Sequence, residues 1–129
     1  MFEALIVNVN WLAVIVGAVV AYALGALWYS PAMFGTVWMK GVGLSGKDAK
    51  GNMTLPMVAQ AFGTFGLAWI IGITETTDAL GLAILIALTI AVLIKANGLF
   101  GKKSRVAIMV ESGFVIAMVV VMILAQAIL

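Results

Sequence analysis

The chain has 129 residues, of which 65% are apolar and 9% charged, with a formal net charge of +2. A water-soluble domain carries roughly 25% charged residues to cover its surface, so a soluble fold is excluded, and so small a net charge gives no argument for nucleic acid. Cys and His are both absent, which excludes disulfides, a thiolate or Ser–His nucleophile and a zinc site, and removes the commonest general base.

The N-terminal segment carries Glu3 and no Lys or Arg before the first apolar run. A secretory signal starts with positive charge, so no cleaved signal is expected; the small-x-small triplet Ala21-Tyr22-Ala23 is commonplace in apolar helices. Crossing about 30 Å of hydrocarbon takes roughly 20 apolar residues. Four runs meet this, at 9–29, 55–74, 79–97 and 106–128. Each must be a helix, because lipid offers the backbone no hydrogen-bond partner. The fold class is therefore all-α. It is an integral membrane bundle of four transmembrane helices in a single transmembrane domain, 1–129.

The first span carries a ladder of small residues, Ala13, Gly17, Ala21 and Gly25, which lets another helix approach closely. That helix belongs either to the same bundle or to a second copy, and Ala83, Ala87 and Ala91 repeat the pattern in the third span. Trp11 at one end and Trp28, Tyr29 and Trp38 at the other read as aromatic belts. Tyr22, a turn or more deeper, wants a partner for its hydroxyl. Ser30-Pro31 has the form of an N-cap followed by Pro at the first helical position. A short helix is expected there, with Met33, Phe34, Val37 and Trp38 on one apolar side and Lys40-Gly41 closing it. Its composition suits an interfacial helix lying flat on the membrane.

Residues 44–52 are Gly- and Lys-rich and read as a water-exposed loop. Thr54 is expected to cap the second span, and Asp78 the third, where its charge suits the helix dipole. Lys40, Lys47 and Lys50 precede the second span, and Lys95, Lys102, Lys103 and Arg105 surround the end of the third. All seven basic residues thus fall on one side, which the positive-inside rule makes cytoplasmic. Both termini should then be extracytoplasmic. The sequon Asn52-Met53-Thr54 falls on the wrong side for glycosylation and is read as chance.

Glu111 lies within the fourth span, roughly 7–8 Å below Val106 by the helix rise. A carboxylate there is costly and faces a bundle interior or a wet cavity. The hairpin of the third and fourth spans has its midpoint near Lys103. Lys95 and Glu111 lie at equal chain distances from it, so an ion pair between them is expected, either structural, with Lys95 snorkelling to the interface, or functional. Gln60, Thr64, Asn97, Ser112, Tyr22 and Tyr29 fall at a similar level. Glu111, Lys95, Gln60, Asn97, Tyr22, Tyr29 and Trp28 together make a candidate polar pocket open to the cytoplasm. A channel is not expected, because 67–73 and 118–124 continue no polar line.

The block Gly25-Ala26-Leu27-Trp28-Tyr29-Ser30-Pro31, with Phe34-Gly35 and Trp38, resembles the signature of a bacterial membrane family, domain-of-unknown-function family 1761. Asn10, Asn97 with Leu99-Phe100-Gly101, and Glu111-Ser112-Gly113-Phe114 are similar to it too, so the resemblance covers nearly the whole chain. Lys95 and residues 44–52 lie outside that pattern. The resemblance implies a four-helix architecture and no known activity.

Two functional classes remain. One is an oligomeric structural or accessory subunit, a homo-oligomer or a companion of a larger membrane protein. The other is a small-molecule or ion binding or transport protein built around Glu111. Enzymatic activity is not expected, nor a cofactor, a metal or nucleic acid. The partners expected are the lipid bilayer and a second copy, and the compartment a bacterial inner membrane. Small multidrug exporters resemble one another in a carboxylate within the first helix, where this chain has none. Their dual insertion also conflicts with a one-sided Lys/Arg distribution.

Overall fold

In a computed structural model, which describes residues 2–43 and 54–129, the chain is all-helical. After a single 3-10 turn at Glu3–Leu5 come α1 (Trp11–Trp28), α2 (Gly35–Gly41), α3 (Thr54–Thr76), α4 (Leu80–Phe100) and α5 (Arg105–Ile128). All but α2 are long and apolar enough to cross a membrane, as the four apolar runs required. The chain is a multi-pass membrane protein.

Local chemistry sets the helix ends. The Asn10 side chain accepts a hydrogen bond from the Ala13 N–H at 3.1 Å, and the Ser104 side chain does the same for Ala107 at 3.1 Å. These are N-caps that satisfy donors with no partner inside the helix. Thr54 opens α3 as its first residue, and the residue before it lies outside the described residues.

Asp78 does not cap α4. The cap position is Ala79, which has no capping side chain. Asp78 instead takes the left-handed conformation, φ 52°, and terminates α3. Its N–H reaches the Glu75 carbonyl at 3.2 Å, and the Ala79 N–H reaches the Thr74 carbonyl at 2.8 Å. This is the Schellman pairing, in which two otherwise orphaned carbonyls are satisfied. The end of α4 is built the same way, with Lys102 at φ 58° and the Lys103 N–H on the Gly98 carbonyl at 3.0 Å.

Ser30 likewise closes a helix rather than opening one. Its hydroxyl donates to the Leu27 carbonyl at 2.6 Å, so the next helix starts only at Gly35. The Gly35 N–H folds back onto the Ser30 carbonyl at 2.9 Å. The approach is so close that a Cβ on Gly35 would strike the carbonyls of Tyr29 and Ser30. The short helix therefore does not merely lie on a surface. Gly41 accepts from the Ser104 N–H at 3.0 Å and sits against Ala107, which docks α2 on the start of α5. Phe34 and Trp38 turn inward, while Met33 and Val37 stay exposed.

α5 is the hub of the bundle. It packs against α1 and α4, which hardly touch each other, and also against α2 and α3. Its buried residues include Ala107, Ile108, Phe114, Met118 and Met122. Both small-residue ladders are used here. Ala13, Gly17 and Ala21 are buried, and Gly17 lies against Met122 and Ala125, Gly25 against Phe114. On the other side Ala83, Ala87, Ala91 and Gly98 are buried, with Ile108 filling the space above Gly98. Lipid tails are as apolar as leucine, so helices in a bilayer associate by close packing, which small residues permit. The ladder that could have served a second copy is consumed within the chain.

Candidate functional site

Aromatic residues organise the end of the bundle where the basic residues lie. The α1–α2 turn brings Phe34 onto Trp28, ring centres 4.8 Å apart, and Trp38 onto Tyr29 at 5.2 Å. Tyr29 in turn meets the edge of Phe114 at 5.4 Å. An indole N–H inside such a cluster needs an acceptor. Trp28 donates to the Val110 carbonyl at 3.0 Å, and Trp38 donates to Glu111 Oε2 at 2.9 Å.

Glu111 is thus the acceptor on which α2 is hung, and its charge is balanced by Lys103. Lys103 Nζ lies 2.9 Å from Oε2 and 3.1 Å from Oε1, and the Glu111 side chain is only 16% exposed. The expected Lys95–Glu111 pair is not formed. Equal chain distance from the turn fixes depth but not direction. At about 100° per residue, Lys95 stands roughly 40° further round α4 than Ala91, on an exposed face. Lys103 is aimed down α5 because Lys102, in its left-handed conformation, reverses the chain immediately before it.

Beside this cluster α3 stands away from α1. Residues 54–63 are all exposed, and α3 joins the core only from Thr64. The gap is a cavity of about 440 Å³. Tyr22, Gly25, Ala26 and Tyr29 form one wall, Pro56, Met57 and Gln60 the facing wall, and Trp38 with Phe114 the floor. A hydrogen bond spans it, from the Tyr22 hydroxyl to the Met57 carbonyl at 3.2 Å. Gln60 donates to Thr64 Oγ1 at 2.9 Å. A second, smaller cavity of about 280 Å³ lies between α1 and α3, lined by Ile15, Ala18, Val19, Ala61, Thr64 and Phe65, and Tyr22 lines both.

Of the residues expected to form a pocket, the structure brings Tyr22, Tyr29 and Gln60 to one cavity. Trp28 lies behind it on Val110, and Glu111 sits beyond the floor, reached through Trp38. Lys95 and Asn97 are exposed on α4 and line neither cavity. The polar pocket centred on Glu111 is therefore replaced by a largely apolar, aromatic cavity that Glu111 braces from behind. Trp38, Phe114, Pro56 and Met57 were not foreseen as lining residues. The signal available for Trp38 was its indole N–H, since Glu111 is the one carboxylate within the four apolar runs 9–29, 55–74, 79–97 and 106–128.

A family model described as protein of unknown function (DUF1761) matches residues 12–126. No curated protein and no solved structure matches the chain.

Proposed function

The chain belongs to the DUF1761 family, whose described activity is unknown, and from its geometry we propose a membrane-embedded binding protein for a small amphipathic molecule, admitted between α1 and α3. The observation that carries this is the standing-off of α3. A helix packed for stability alone would close on α1 along its length, yet ten residues of α3 hold back and leave an aromatic-walled cavity. Ligand cavities have this character: mostly apolar walls with a few polar groups that fix orientation. Tyr22, Tyr29 and Gln60 supply those groups, and the Glu111–Trp38 bond holds the floor in place.

Photolabelling with a diazirine analogue of octanol tests the proposal. Saturable adducts are expected on both 22–29 and 56–60, and Ala26→Trp, which fills the cavity from an exposed position, should remove them. Labelling that never saturates and is spread over α4 as well would reject the cavity as a binding site.

The accessory-subunit reading keeps one supporting observation. Gly63 and Gly66 of α3 would place a Cβ in open space, which leaves a small-residue face free for a second copy or another membrane helix. The basic end is proposed to face the cytoplasm, in a bacterial inner membrane, with both termini outside. The chain has no cysteine, so single replacements report on both points. Lys40→Cys should react with an impermeant thiol reagent only after the membrane is opened. Gly63→Cys should form a disulfide-linked dimer on oxidation if that face binds a second copy. Labelling of Lys40→Cys in intact cells contradicts the orientation, and a Gly63→Cys chain that stays monomeric removes the homo-oligomer.

A further inference from the structure

We propose that the ligand of this cavity is a molecule of the bilayer itself, an anionic phospholipid from the leaflet at the basic end, with one acyl chain laid in the groove between α1 and α3. The proposal rests on the binding reading above and names its substrate class. The shape of the two cavities suits an acyl chain. Tyr22 lines both cavities, and end to end they follow α1 from Tyr29 to Ile15, about 21 Å at the helix rise. One leaflet of hydrocarbon is roughly 15 Å deep, half of the core, so the groove is long enough for a chain that enters at the interface and runs to the bilayer centre. Its walls suit that chain. Ile15, Ala18, Val19, Ala61 and Phe65 are apolar, and the hydroxyl of Thr64 is already engaged by Gln60.

A polar group stands at the interfacial end of the wider cavity. Tyr29 lies at the interfacial end, and its hydroxyl makes no hydrogen bond among the described residues. It is a donor placed where a glycerol ester oxygen would fall. Charge favours an anionic headgroup. The Ser104 N–H bond to Gly41 brings the end of α2, with Lys40, beside Lys102 and Arg105. These three are exposed and form no ion pair among the described residues. Glu111, the one acidic group described at this end, is already neutralised by Lys103. Lys40 follows Trp38, which forms the cavity floor, by two residues. Basic groups at a membrane surface favour anionic headgroups, and here they cluster at the end of the bundle where the wider cavity lies, two residues from its floor at Trp38.

Native mass spectrometry of the full chain in dodecyl maltoside tests this, with dioleoylphosphatidylglycerol and dioleoylphosphatidylcholine as the probes. One phosphatidylglycerol should be retained in preference to phosphatidylcholine, by roughly fivefold for each basic residue engaged. Ala61→Phe fills the chain groove from an exposed position and should abolish retention while leaving octanol photolabelling of the wider cavity in place. Lys40→Gln should reduce the headgroup preference. Equal retention of the two lipids overturns the anionic ligand. Retention that survives Ala61→Phe overturns the seating of the chain, and if photolabelling of 22–29 and 56–60 persists, the binding reading still stands. Loss of that photolabelling in the unaltered chain defeats the broader reading as well.

Discussion

Gly17→Leu is expected to destabilise the folded chain severely in detergent, and not to convert an oligomer into folded monomers. A Cβ at this position already lies 3.4 Å from the Cα of Met122 and 3.4 Å from the Cβ of Ala125. Leucine adds three further carbons against a helix backbone that cannot rotate away as a side chain could. Overpacking of this kind costs about 1–3 kcal/mol and sometimes more, and separating α1 from α5 would also loosen the floor of the cavity at Phe114. Gly81→Leu is the matched control, because a Cβ there meets nothing within 4 Å. Thermal denaturation followed by circular dichroism should show a large fall in Tm for Gly17→Leu and little change for Gly81→Leu. Equal tolerance of both, or a helical monomer released from a larger species by Gly17→Leu, would return the ladder to an intermolecular role.

The second large effect is expected at Glu111. Glu111→Ala removes the acceptor of the Trp38 N–H and the counter-charge of Lys103 together. Stranding a partly buried donor costs about 1–3 kcal/mol. The Lys103 contribution is the smaller part, because its side chain is 37% exposed and can reach water. A double-mutant cycle with Lys103→Met and Glu111→Gln should therefore give a coupling near the low end of about 0.5–3 kcal/mol. The parallel cycle with Lys95→Met should give none, and Lys95→Met alone should fall within about 0.5 kcal/mol of the unaltered chain. A cycle with Trp38→Phe isolates the other bond. If Lys95 couples to Glu111 and Lys103 does not, the geometry at the α4–α5 turn is wrong.

The contrast between Lys95 and Lys103 marks what the amino-acid order conveys in a membrane protein. The four spans were legible because hydrocarbon imposes a length, and the expected runs at 55–74 and 106–128 differ from α3 and α5 by at most two residues at either end. Depth was legible too, since chain distance from a turn converts directly to depth. Direction around the helix axis was not, because lipid-facing and core-facing residues here are equally apolar. The exposed Leu85 and Leu88 of α4 and its buried Ala83 and Ala87 differ in size, not in polarity. The ladders revealed the packing faces by that size difference, but not which helix they met. The cavity was half-legible. Tyr22, Tyr29 and Gln60 stood out as polar groups in apolar runs, whereas Met57 and Phe114 could be placed only once the separation of α3 from α1 was known.

The position of the hub in chain order has its own consequence for how the bundle is made. α5 is the last of the four long helices to leave the ribosome, yet α1, α2 and α4 all take it as a principal packing partner. Until it arrives, the glycine ladder of α1 and the alanine face of α4 are turned toward lipid, and Trp38 has no carboxylate to hold. The arrival of Arg105–Ile128 in the bilayer docks both ladders and fixes the short helix. Completion of the bundle thus waits on α5: α1 and α3 can meet first, through Trp11 on Trp69, but the small-residue faces that α1 and α4 turn toward α5 stay uncovered until it inserts.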